Sequence, residues 1–250
     1  MHFFAAMTRF QAFQLHLIAS AAIGGILLGL LWFLLYPAPL FRAMGGMEIL
    51  FLLLGVDVTL GPFLTLVIFN VEKKSLRFDL FVVATLQLVA LIYGAHALFI
   101  GRPVYVAALG HRFDLIAASD VDAAELAVAG KTLPWFGVEW VGTRHATDPK
   151  EKERILFSAI GGFDYGYFPQ HHVALDSMRA ELLAKAHPVS NLINLNPGRS
   201  EELRAWLAAH NRNETNTVYQ GLKARGEDMS VMINKSTGEV VGVVAFKPWE

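Results

Sequence analysis

The sequence predicts a membrane protein, with three N-terminal transmembrane α-helices followed by a C-terminal α+β soluble domain built on an antiparallel sheet. Three observations carry that expectation. The first hundred residues hold apolar runs at about 15–36, 49–69 and 78–100. Each is long enough, at ~1.5 Å per residue, to cross the roughly 30 Å hydrocarbon core of a bilayer. Hydrophobic residues make up 54% of the 250-residue chain and charged residues 17%, too apolar a balance for an ordinary soluble domain of this size. Charge is also segregated, since six of the 21 Lys+Arg and four of the 22 Asp+Glu precede Pro103. The expected division is a membrane region over 1–102 and a soluble domain over 103–250.

The first run does not have the form of a cleavable signal peptide. It is too long, and Tyr36-Pro37-Ala38-Pro39 stands where a small-residue cleavage site would be. Basic residues in the short loops set orientation. Arg9 precedes the first run and Lys73, Lys74 and Arg77 separate the second from the third, whereas Arg42 is alone between the first and second. The N-terminus and the Lys73–Arg77 loop are therefore expected in the cytoplasm. Everything after Arg102 is expected on the far side, which in a bacterial inner membrane is the periplasm. A net charge of −1 leaves no basic footprint for nucleic acid. The absence of cysteine excludes disulfides, thiolate zinc sites and Cys nucleophiles.

In the soluble half, Pro103 to Leu109 and Arg112 to Ala117 read as strands around a Gly110-His111 turn. Ser119 is the expected cap of a short helix ending at Ala129. Gly137 to Arg144 reads as a strand, and Asp148-Pro149 opens a helix to about Ile160, with proline in its first turn. Val173 to Ala186 and Ser200 to His210 read as amphipathic helices. Val218 to Arg225, Met229 to Asn234 and Val240 to Phe246 close the chain as a meander.

Several segments together resemble a known family. They are Arg9-Phe10-Gln11-Ala12-Phe13, Tyr36-Pro37-Ala38-Pro39-Leu40-Phe41, the stretch from Gly55 to Asn70, Lys73 to Leu80, Arg102-Pro103-Val104-Tyr105, Arg112-Phe113-Asp114 and Lys247-Pro248-Trp249. In this order they resemble the type IV pilin accessory proteins of the TfpX/TfpZ group, chiefly over the first ~115 residues. The resemblance implies an inner-membrane, chaperone-like protein that binds and stabilises the major type IV pilin and supports pilus assembly, alongside other assembly components. It implies no catalysis and no cofactor.

Asp57 is the residue that most needs a reason. It lies about 12 Å in from Ile49 along the second run, where a charge costs at least ~2.5–3.5 kcal/mol. On a helix, Asp57, Gly61 and Thr65 share one face. Pro62 deprives the Val58 carbonyl of its usual donor. In an antiparallel third span, Gln87 and Tyr93 bracket the depth of Asp57. Two readings are open: a packing specifier inside the bundle, or a polar notch that receives a pilin's membrane helix. Ala21, Gly25 and Gly29 recur every four residues and permit close helix approach, either to the chain's own spans or to a docking partner. His171-His172 follows an aromatic, glycine-rich loop over 161–169, expected to be packed or solvated, with a partner patch as the alternative. Glu151 to Arg154 reads as a solvated helix face.

Motifs of catalysis are missing. There is no Gly-x-Ser-x-Gly elbow, no phosphate-binding glycine loop and no His-Glu-x-x-His. No catalytic, metal-ligating or cofactor-binding residue is therefore expected. The competing function class is a membrane-anchored sensor whose outer domain binds a ligand and signals through a separate partner.

Overall fold

A computed structural model of the chain describes residues 7–250. It divides into two compact units, each with its own interior.

The first unit contains three apolar helices: α1 (Arg9–Leu35), α2 (Gly46–Ile68) and α3 (Leu76–Ile100). All three are long and apolar enough to cross a membrane. α2 and α3 meet closely at Gly94, where an added Cβ would run into the Leu53 side chain. Near one end of the unit, Ala12, Phe69 and Leu76 form a small buried cluster with Leu80 against it. The outward faces stay apolar and exposed, as at Ile18, Ile26, Phe51, Phe81 and Ile92. In water that would be an aggregation hazard; against lipid it is the expected surface. The helices start earlier than the apolar runs because backbone hydrogen bonding continues through polar end residues such as Arg9 and Glu48.

Within α2, residues Gly55–Leu60 form a π-helical segment. Pro62 explains it. The amide of Gly61 bonds to the carbonyl of Val56, a five-residue step. In that register the donor facing the Asp57 carbonyl would be Pro62, which has no N–H. The freed carbonyl is thus that of Asp57, not of Val58 as the sequence suggested.

The second unit comprises Leu35–Gly45 and Gly101–Glu250. The connector between α1 and α2 is thus part of the C-terminal domain. Tyr36, Leu40, Phe41, Ala43 and Met44 are buried, and the Gly226 amide bonds to the Ala43 carbonyl at 2.8 Å. Gly226 must be glycine there, because a Cβ would meet the Gly45 backbone at 2.6 Å. Arg42 pairs with Glu227.

The domain is α+β, with strands β1 (Pro103–Ala108), β2 (Phe113–Ala117), β3 (Glu139–Thr143), β4 (His172–Ala174), β5 (His187–Pro188), β6 (Thr217–Lys223), β7 (Met229–Asn234) and β8 (Val240–Val244). They form one sheet in the order β4-β3-β1-β2-β6-β7-β8, with β5 also on β6. Most neighbours are antiparallel, as expected, but β1–β3 and β2–β6 are parallel, so the sheet is mixed. β1, β2 and β7 are buried throughout, as central strands covered on both faces are. Helices α7 (Val189–Leu195) and α8 (Ser200–Ala209) cover one region, where Leu192, Leu203 and Leu207 pack on Tyr219, Met232 and Val244. The C-terminal Trp249 lies against Gly221, where a Cβ would strike its ring, and its indole N–H donates to Asp228 at 2.9 Å.

Two local expectations are corrected and one holds. Helix α4 (Ala123–Ala129) is capped by Asp122, whose carboxylate accepts from the Ala124 amide, while Ser119 sits in a 3₁₀ turn before it. Helix α5 (Pro149–Ile160) is capped by Asp148 as expected. The segment 173–186 is not one amphipathic helix. Its start pairs with β3 as β4, then a 3₁₀ turn (Leu175–Met178) leads into the short helix α6 (Arg179–Ala184). Pairing along the free edge of β3 wins over a periodicity that fits a helix equally well.

A polar cavity among the membrane helices

The candidate site lies wholly within the first unit, in a cavity of about 330 Å³. α1 supplies His16, Ser20 and Gly24 to its wall, α2 supplies Asp57, and α3 supplies Gln87 and Leu88. Polar contacts tie α1 to the other two helices. His16 Nδ1 lies 2.6 Å from the Thr65 hydroxyl. Gln87 Nε2 donates to the Asp57 carbonyl at 2.9 Å, with Ser20 Oγ at 3.4 Å as a second acceptor. Gln87 therefore satisfies the carbonyl that the Pro62 break leaves open. Gly61 makes this possible, since a Cβ there would overlap the Gln87 amide.

The Asp57 side chain is different. The residue is only 6% exposed, yet both Oδ1 and Oδ2 are buried without a hydrogen-bond partner among the described residues. A buried polar group left unpaired costs on the order of 1–3 kcal/mol, and more if charged. The cavity thus presents an unsatisfied carboxyl framed by a serine, a histidine and an amide, inside otherwise apolar walls. Such a site favours an apolar occupant carrying one polar group.

Of the residues singled out in the sequence, Asp57, Gly61, Pro62 and Thr65 are all buried in α2, and Gln87 meets them. Tyr93 does not. It is 71% exposed on the outer side of α3, because six helical residues rotate it about 120° away from Gln87. Gly25 and Gly29 have open space around a built Cβ, so the Ala21-Gly25-Gly29 stripe does not pack against α2 or α3. Gly24 borders the cavity instead. His16 and Ser20 were missed. Their i, i+4 spacing on an apolar helix is the signal that could have found them.

The motifs of the C-terminal domain make contacts within it. His172 donates from Nε2 to the Gly166 carbonyl at 2.8 Å and packs edge-on against Tyr105. Burial pulls its pKa down to about 4. Glu151 to Arg154 is not simply solvated. Arg154 bridges Glu151 and Glu125, Gln170 also reaches Glu125, and His171 faces Glu151 at 3.2 Å. The Arg154 hydrogen bonds lower Glu151 to about 2. A concavity of about 550 Å³ beside this network is lined by Arg154 and Glu125, whose charges already meet each other.

The architecture defines a membrane protein with three span-length helices, a polar cavity among them and a mixed-sheet domain. No family model matches the chain, and no solved structure does. It is similar to a fimbrial assembly protein of serogroup I from Dichelobacter nodosus, 27% identical over 229 residues that cover 89% of each chain. A serogroup E1 fimbrial assembly protein from the same organism is likewise 27% identical over 229 residues, again 89% of each chain. One of serogroups C1 and C2 is 36% identical over 94 residues, which cover 37% of this chain and 72% of that relative. The chain belongs to this family of fimbrial assembly proteins.

Proposed function

We propose that the chain is a type IV pilin accessory protein of the TfpX/TfpZ group. It binds the major pilin in the bacterial inner membrane, stabilises it in a chaperone-like way without chemistry of its own, and supports pilus assembly with other components. The single observation that carries this reading is the unpartnered Asp57 carboxyl in the cavity between α1 and the α2–α3 pair. An apolar pilin helix bearing one polar side chain would fill the walls and pair with Asp57. The fimbrial assembly relatives support the pilus setting. The orientation proposed keeps Lys73, Lys74 and Arg77 cytoplasmic and the C-terminal domain periplasmic. Burial of the α1–α2 connector within that domain agrees with both lying on one side of the membrane. The outer domain then meets the pilin's globular head, for which the exposed row Leu156, Phe157 and Ile160 of α5 is the surface we assign.

The test is affinity isolation from membranes, with wild type beside Asp57→Ala and Asp57→Asn. Wild type is expected to enrich the major pilin, and both variants to recover several-fold less at equal abundance. Recovery of other partners with no pilin would sink the pilin reading. Unchanged pilin recovery with Asp57→Ala would remove the cavity from it and leave the outer domain as the contact.

A further inference from the structure

We infer that the loop over 131–137 is a membrane-interface anchor, whose tip Trp135-Phe136 rests in the lipid headgroup layer and holds the outer domain against the bilayer. This goes beyond pilin binding and depends only on α3 crossing a membrane. Two adjacent large aromatics stand exposed at the tip, Trp135 at 70% and Phe136 at 64%. The loop itself is held firmly. Leu133 packs onto the buried cluster of Val104, Tyr105 and Ile116, and Gly137 turns the chain with φ +71°. The tip is therefore a rigid presentation of aromatic surface.

Its position identifies the occupant. Arg102 Nη2 donates to the Pro134 carbonyl at 3.2 Å. Arg102 is two residues beyond Ile100, the last residue of α3. At no more than ~3.6 Å per residue, its Cα lies within about 7 Å of the end of that helix. A 25-residue helix runs about 37 Å, longer than the hydrocarbon core, so its end reaches the headgroup layer. The residue next to Pro134 is Trp135. Indole and phenyl rings concentrate at this depth, where an amphipathic ring meets both chains and headgroups. Lys131 adds an exposed cation at the base of the loop, suited to phosphate.

The chain contains no cysteine, so Phe136→Cys in the full-length protein accepts a single nitroxide. The control is Thr215→Cys, exposed before the start of β6, the strand whose other end leads to the Gly226 contact with the α1–α2 connector. In phosphatidylcholine nanodiscs, power saturation is expected to give a several-fold higher ratio of oxygen to aqueous nickel-chelate accessibility at Phe136→Cys than at Thr215→Cys. Equal ratios overturn the anchor. A second readout uses wild type minus Trp135→Phe emission. The difference spectrum is expected to be quenched by lipids brominated high on the acyl chain and spared by iodide. Quenching by iodide alone overturns the anchor. Neither assay contains pilin, so the pilin reading stands or falls separately.

Discussion

In the C-terminal domain, Arg154 is shared between Glu125 and Glu151, and Gln170 and His171 complete the set. In the membrane unit, neither Asp57 oxygen has a hydrogen-bond partner among the described residues. The domain also leaves buried polar atoms unpaired, among them Gln220 Oε1, His172 Nδ1 and the neutral Tyr105 hydroxyl. In Gln220 and His172 the other polar atom is bonded, Gln220 to the Gly110 and Leu182 carbonyls and His172 to Gly166, and the Tyr105 hydroxyl carries no charge to leave uncompensated. The contrast runs against the solvent. Water would rescue an orphaned group at little cost, and lipid cannot. A fully unsatisfied carboxyl placed where rescue is hardest is best explained by a partner that arrives. The backbone beside it is treated with the opposite care, since the carbonyl freed by Pro62 is capped by Gln87 through the gap that Gly61 leaves.

The C-terminal domain gives the largest expected stability effect. His172 has its folded pKa depressed to about 4 from 6.5 by burial. The unfolded chain therefore binds the proton more readily between those values. The contribution to stability is full above 6.5 and is lost as pH falls toward 4, on the order of 3 kcal/mol at most. Glu151 titrates in the same sense, since its folded pKa is also lowered. Its pKa is lowered to about 2 from 4.5, so its contribution is full above 4.5 and fades below, at the acid end of the histidine window and beyond. Thermal unfolding of the detergent-solubilised protein across the window is expected to show a falling midpoint that His172→Gln, which does not titrate there, flattens. An unchanged acid slope in His172→Gln would assign the loss to another group.

The membrane unit is expected to respond with opposite signs at two neighbouring positions. Asp57→Leu removes an unsatisfied buried group and should stabilise the detergent-solubilised helices by about 1–3 kcal/mol while lowering pilin recovery. Gly61→Ala pushes a Cβ into the Gln87 amide and should destabilise by about 1–3 kcal/mol. Denaturant unfolding in detergent, followed by helical signal, separates the two. If Asp57→Leu destabilises, Asp57 is satisfied within the chain and the contrast between the two units disappears.

How much of this was legible beforehand follows from range. Span length and apolarity are local, and all three helices were visible in the hydropathy of their own residues. Asp57 and Gln87 stood out because each is polar in an apolar run. His16 and Ser20 are equally polar but lie nearer the start of α1, where a polar residue costs less and draws less notice. Tyr93 lies at a matching depth but faces away from Gln87, because depth along a helix does not fix rotation about it. The parallel pairs β1–β3 and β2–β6 join residues 34 and 109 apart in the chain, as at Ala107–Val141 and Phe113–Leu222, and no turn signal announces such a pairing. The 173–186 segment failed because its apolar spacing fits a strand edge and a helix equally.

The smallest expected effect tests whether the domain's ion network is a stabiliser or only a consequence of close packing. Arg154 is partly exposed, and exposed pairs contribute little one at a time. Here three features act together: two carboxylates on one guanidinium, the Gln170 amide, and the Arg154 guanidinium over the Phe168 ring at 4.8 Å. Arg154→Met keeps most of the hydrophobic stem and removes the charge, leaving Glu125 and Glu151 to repel each other. The expected cost is about 1 kcal/mol, most of it recovered when Glu125→Gln is added. Unfolding midpoints of the single and double variants measure it. A loss that Glu125→Gln fails to recover would mean that packing on Phe168, and not charge pairing, sets the contribution of Arg154, and the domain's contrast with Asp57 would then rest on its hydrogen bonds alone.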